Sequence, residues 1–145
     1  MTFKHQDNGL LPPGVHWVSN EDSMYEIFGT NEHRRRLLGG FFAGTAHLQR
    51  AGCPRVFLDG SFVTTKPFPR DFDCCYDTHN MNFEILPQVF KDFSNDRALQ
   101  KANFGGEFFP TQSTAVRPWT TFWEFFQTDK ETGNPKGIVG FELQI

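Results

Sequence analysis

Two acids stand in phase within "FLDGSFVTTKPFPRDFDCCYD" (57–77): Asp71 and Asp73, separated by one Phe and beginning eleven residues after Gly60. On a strand, side chains at i and i+2 point the same way and lie roughly 6.5–7 Å apart at the backbone. Carboxylates so placed repel one another unless a cation stands between them. Mg2+ is the fitting cation, because it takes hard oxygen ligands and completes its shell with water and substrate phosphates. Two such ions roughly 3.5–4 Å apart can clamp the attacking and leaving oxygens of an in-line displacement at phosphorus. Gly60 lets a backbone approach a triphosphate closely, and Ser61 offers it a hydroxyl hydrogen bond. The stretch therefore reads as a metal-assisted nucleotide site. Asp71 and Asp73 would hold Mg2+ (or Mn2+), and Gly60 and Ser61 would hold an NTP. Lys66, Lys101 and Lys136 are further candidates for phosphate.

Other chemistries find no support in the chain. It has no G-x-x-x-x-G-K-[ST] and no G-x-G-x-x-G, so neither phosphate loop is present. Ser61 lacks the glycine pattern of a nucleophile elbow. The five histidines never form H-x-x-x-H or flank a spaced Cys pair, which speaks against zinc. His47 reads as a packed or surface residue of a helix. The net charge of −3 argues against broad nucleic-acid binding. "HRRR" (33–36) is the only compact basic run and reads as a solvated helix face. Three cysteines, two of them adjacent at Cys74 and Cys75, do not make a disulfide framework and suggest a reducing compartment. The longest apolar run, "LLGGFFAGTA", has about half the length of a membrane span. With no secretory signal in view, a cytoplasmic protein with no membrane partner is expected.

Local patterns along the chain define the elements that must position these residues. Its 145 residues suit one domain over 1–145, and 18 Phe predict an aromatic core. "LPPGVHW" reads as irregular extended chain, because paired prolines and a glycine break regular structure. "SNEDSMYEIF" reads as a short helix with Ser19 and Asp22 as a capping box. The clearest helix is "GTNEHRRRLLGGFFAGTAHLQRAG", where Leu37, Leu38, Phe41, Phe42, Thr45 and Leu48 recur at helical spacing. Asn31 can cap it, Gly52 can end it, and Gly39, Gly40 and Gly44 would permit close packing. "RVFLD" and "DFDCCYD" read as strands, the second with Asp71, Asp73, Cys75 and Asp77 on one face. "LPQVFKDFSNDRALQKA" reads as helix broken near Ser94, and "NFGGEFFP" as a strand ended by Pro110. "TTFWEFFQ" leans to helix through Thr121 and Glu124, and "GIVGFEL" closes as a strand. The expected class is α/β (α+β): a small mixed sheet flanked by helices.

"GSFVTTKPFPRDFD" resembles the pattern of the polymerase-β-like nucleotidyltransferase superfamily: G-S, about ten residues, then D-x-D on the next strand. The spacing is similar to that of its minimal members. "LPPGVHW", "FGTNEHRRRLL", "LDGSFVTTK", "DFSNDRALQKA", "GGEFFP", "FFQTDK" and "PKGIV" together resemble short nucleotidyltransferase-like proteins of bacteria and their phages. That resemblance covers nearly the whole chain. It implies Mg2+-dependent transfer of an NMP group from an NTP to a hydroxyl on RNA (tRNA included) or protein. Proteins of this size often belong to toxin–antitoxin or phage-defence modules, which implies a cognate toxin or antitoxin partner. The superfamily usually carries a third carboxylate. Asp77 lies about 13 Å beyond Asp73 along a strand and is too far. Glu107 in "GGEFFP" is the expected third acid, as metal ligand or as base. Two other readings stand beside the enzyme: an inactive interaction module on the same fold, and an RNA-binding protein using Arg34, Arg35 and Arg36. Trp119 is the aromatic residue expected to stack on a base.

Overall fold

The structure, a computed structural model, describes residues 3–113, 115 and 121–144. The helical periodicity of the N-terminal half becomes α2 (Glu32–Arg50), started by the Asn31 side chain, which accepts from the Arg34 N–H. Before it lies α1 (Glu21–Phe28), capped by Asn20 and not by Ser19. Asn20 accepts from the Ser23 N–H at 2.8 Å, one register later than the sequence pattern suggested. "RVFLD" becomes β2 (Arg55–Asp59), and β3 covers Phe72–Tyr76. Then come α3 (Ser94–Phe104), β4 (Gly106–Pro110), the short α4 (Phe122–Phe126) capped by Thr121, and β5 (Gly137–Glu142).

A fifth strand, β1 (Gly14–Val18), forms where irregular chain was expected. The two prolines stand just before it, and β1 is an edge strand hydrogen-bonded to β5 alone, a place where proline does no harm. The sheet runs β1-β5-β2-β3-β4. β1 is parallel to β5 and β4 parallel to β3, while β2 is antiparallel to both of its neighbours. This is the mixed α+β architecture that the element order implied.

Each face of the sheet has its own core. On one face Leu58, Phe72, Cys74, Phe108 and Val139 pack with Leu38, Phe41 and Leu48 of α2. Close approach depends on two helix glycines. A side chain at Gly40 would run into the Phe104 carbonyl, and one at Gly44 into the Phe108 ring. On the other face Phe57, Cys75, Phe109 and Ile138 pack with Phe126 of α4.

The break expected near Ser94 is a left-handed turn. Asn95, Asp96 and Arg97 have φ of 52°, 53° and 58°, a conformation costing roughly 1–2 kcal/mol per side-chain-bearing residue. The Arg97 guanidinium is laid over Phe109 at 4.2 Å and Phe93 at 4.6 Å, which offsets part of that cost.

The basic run departs from the solvated face expected of it. Arg34 is buried, and its guanidinium donates to the carbonyls of Phe62 (2.7 Å), Thr64 (2.9 Å), Lys66 (2.6 Å) and Phe28 (3.3 Å). The loop after β2 supplies three of those acceptors and the end of α1 the fourth, and no local pattern in the run encodes them. Arg35 donates to the Gly29 carbonyl, and Arg36 pairs with Glu32 in solvent. Arg34 therefore cannot serve a phosphate-binding patch. No described helix is long and apolar enough to cross a membrane.

Candidate active site

Strand register assembles the site. Asp59, the last residue of β2, lies opposite Asp73 of β3, and Asp73 lies opposite Glu107 of β4. Directly opposed residues have Cβ atoms about 4.5–5.5 Å apart, whereas Asp71 stands just before β3 and not on it as the alternation suggested. Asp73 therefore has acids opposite it on both neighbouring strands as well as Asp71 beside it in the chain. One step along the same face, Phe57, Cys75 and Phe109 form the next row, which is apolar and buried.

The acid row and Asp71 open into a cavity of about 640 Å³. Gly60, Ser61, Lys130 and Lys136 line it, together with Asp129 and Glu131. Phe109 and Phe122 supply an aromatic wall. Five sequence candidates therefore meet here: Asp71, Asp73, Glu107, Gly60 and Ser61. Lys66 does not join them. It is exposed outside the cavity, and its backbone carbonyl is held by Arg34. Lys101 reaches the site only through Glu107, with its Nζ 3.3 Å from the carboxylate. Asp77 is paired with Arg55 at 2.8 Å, beyond the far end of β3. Cys75 is a buried filler, and all three cysteines are free thiols. His47 packs beside Phe90 and Phe104. Trp119 lies outside the described residues.

Two participants escaped the sequence reading, Asp59 and Lys130. Asp59 is 3% exposed and ion-paired with Lys136, whose Nζ lies 3.1 Å from either carboxylate oxygen. Its adjacency to Gly60 was the one available signal, and only the register turns that into a site.

The electrostatics follow from crowding. Burial pushes the Asp73 carboxyl up to about 7, and the charges of Asp59, Asp71 and Glu107 push the same way. Burial lifts Asp59 to about 6, against the pull of the Lys136 ammonium. Gly60 explains how Asp73 is accommodated. Its φ is +78°, and a Cβ there would stand 2.5 Å from Asp73 Oδ2. The missing side chain makes room for a carboxylate from within the protein, and the positive φ is one that glycine adopts without strain.

The donor set suits a divalent cation in chemistry: buried carboxylate oxygens, mutual repulsion and an aqueous opening. Its spacing is looser. Among the described residues no three His, Cys, Asp or Glu side chains stand together at metal-ligand distance. Two of the four acids are engaged by lysine ammonium groups. Asp71 and Asp73 are the pair left to face a cation.

Fold and cavity define a small α+β protein with an acid-lined cleft where β2 ends and β3 and β4 begin. The chain belongs to the family of unknown function DUF6932, whose model matches residues 1–142. No curated protein and no solved structure matches it.

Proposed function

We propose that this cleft is the active site of a Mg2+-dependent nucleotidyltransferase, moving an NMP group from an NTP to a hydroxyl on RNA or protein. One observation carries the reading. Four carboxylates from three neighbouring strand ends open into a single cavity that Gly60, Ser61, Lys130 and Lys136 also line, groups that suit a triphosphate, with Asp129 and Glu131 adding two further acids. The resemblance of "GSFVTTKPFPRDFD" to the polymerase-β-like pattern points the same way.

In this reading Asp71 and Asp73 hold Mg2+ or Mn2+. Bound there, the ion would supply positive charge to the triphosphate and to the leaving pyrophosphate. Ser61 and the Gly60 backbone reach phosphate oxygens. Lys130 and Lys136 offset part of the negative charge, and half-buried Phe122 offers apolar surface to a base. Glu107 is placed to take the proton of the acceptor hydroxyl. Free buried thiols suit a reducing cytoplasm. A toxin–antitoxin or phage-defence role, with a cognate partner, follows from the resemblance.

A second reading, an inactive interaction module on the same fold, is favoured by the lysine-occupied acids and the loose ligand spacing. One experiment separates them. The pure chain is incubated with each α-labelled NTP, Mg2+ and cell lysate. The enzyme puts label on RNA or protein, and the label disappears with EDTA, with Asp71→Asn and with Asp73→Asn. Label that survives in Asp73→Asn, or no label with any NTP, removes the enzyme reading.

A further inference from the structure

We propose that Asp59 is a cation ligand of this cleft alongside Asp73, and that Lys136 holds the cation's place until metal and nucleotide arrive together. This inference rests on reading the cleft as a metal site.

Three observations lead to it. Asp59 is almost wholly buried, and its carboxylate is incompletely served. Lys136 Nζ donates a hydrogen bond to Oδ2 at 3.1 Å, while Oδ1, at the same distance, has no hydrogen-bond partner among the described residues. The Gly60 backbone N–H and the Lys136 ammonium already serve the carboxylate, and Oδ1 keeps the lone pair with room for a further ligand. Next, the Asp73 carboxylate leans toward β2. Its Oδ2 fills the space over Gly60, the residue directly after Asp59. Glu107 is held from α3 by Lys101, at the β4 edge of the sheet. Asp73 thus turns toward Asp59 rather than toward Glu107, although both are its register partners. Finally, Lys136 is a poor solvent-facing lysine. Its side chain is 15% exposed, and its backbone N–H is tied to the Gln127 carbonyl at 2.9 Å.

Lysine and metal then compete for one carboxylate. A free ion must displace the ammonium and leave it buried without an anion, which is unfavourable. An ion carried by a triphosphate brings that anion with it. The ammonium leaves Asp59 for a phosphate oxygen, and the charge in the cleft stays balanced. Free metal should therefore bind weakly and the metal–nucleotide complex well, with Lys136 responsible for the difference.

The test measures Mn2+ binding to the full chain by the paramagnetic resonance of the free ion. Lys136→Met should bind Mn2+ alone about tenfold more tightly than the natural chain and should bind Mn2+ with a non-hydrolysable NTP about tenfold more weakly. The gain for Mn2+ alone should vanish in Asp59→Asn/Lys136→Met. Glu107→Gln should leave Mn2+ affinity within about threefold. Unchanged or weaker Mn2+ binding in Lys136→Met overturns the proposal, as does a gain that survives Asp59→Asn. If Lys136→Met does not fold, the natural chain decides. Mn2+ with the NTP analogue should change acetylation of Lys136, followed by peptide mass spectrometry, and unchanged acetylation overturns the proposal. Failure of the enzyme reading looks different: the Mn2+ pattern holds, yet no NTP transfers label.

Discussion

Two rows of side chains cross the same three strands on the same face, one step apart, and they do opposite things. Phe57, Cys75 and Phe109 bury apolar surface under α4. Asp59, Asp73 and Glu107 crowd like charges at the mouth of a cavity. The first row stabilises the fold. The second costs stability unless cations compensate it, and that cost is what makes the site responsive to cations. Strand, register and backbone are common to both, so side-chain chemistry alone makes the difference.

The comparison breaks most readily in the apolar row. Phe57 is buried, with its ring 4.6 Å from that of Trp123. Phe57→Ala should cost about 3–5 kcal/mol and lower Tm by roughly 10 °C, read by calorimetry. A variant melting with the natural chain would show that this row carries no packing load.

Gly60 joins the two rows' logic, since it gives stability by making room for an acid. Gly60→Ala combines a strained φ with a clash against Asp73 Oδ2 and should cost about 2–3 kcal/mol. In an Asp73→Ala background the clash partner is gone, so the cost should fall by about 1 kcal/mol in a denaturant double-mutant cycle. Equal costs in both backgrounds would mean that Gly60 answers only to its own backbone.

The acid row itself should show the opposite sign. Asp73 has its carboxyl raised from 3.8 to about 7 in the folded chain. Between those values the native state binds more protons than the unfolded one, so stability falls as pH rises through that window. Asp73→Asn should flatten this slope, leaving the part that Asp59, raised to about 6, contributes below pH 6, and should stabilise the metal-free chain above pH 7 by about 1–2 kcal/mol. The check is Tm against pH for both proteins without metal. Parallel profiles would mean that Asp73 is not under the strain its neighbours imply.

How much of this was legible in the sequence varies with the range of the interactions. α2, β2 and β4 were readable because Leu37, Phe41 and Leu48, or Val56 and Leu58, carry their periodicity locally. β1 was hidden by Pro12 and Pro13, which break structure in general but only precede a strand here. The D-x-D was legible as a pair of acids in phase. Glu107 was expected from the resemblance, but that it and Asp59 stand opposite Asp73 is a matter of strand register, 34 and 14 positions away in the chain, and no local pattern encodes register. Arg34 was misread for the same reason, since three of its four acceptors lie in a loop about thirty residues on.

That arginine also decides which wall of the cleft is able to move. The first turn of α2 grips the loop between Ser61 and Asp71 at successive carbonyls: Phe62, Thr64 and Lys66 through Arg34, Pro67 through Asn31, and Pro69 through His33. The loop is thereby clamped to the longest helix of the molecule, and it travels only if that helix travels. The opposite wall, from Gln127 to Lys136, is a polar turn held mainly by its own short-range bonds. That turn carries Lys130 and Lys136, and its tie to the sheet is the Lys136–Asp59 ion pair, so an opening on this side would have to break that pair. The same motion that widens the mouth would then carry positive charge away from the acids, coupling the size of the opening to its electrical sign.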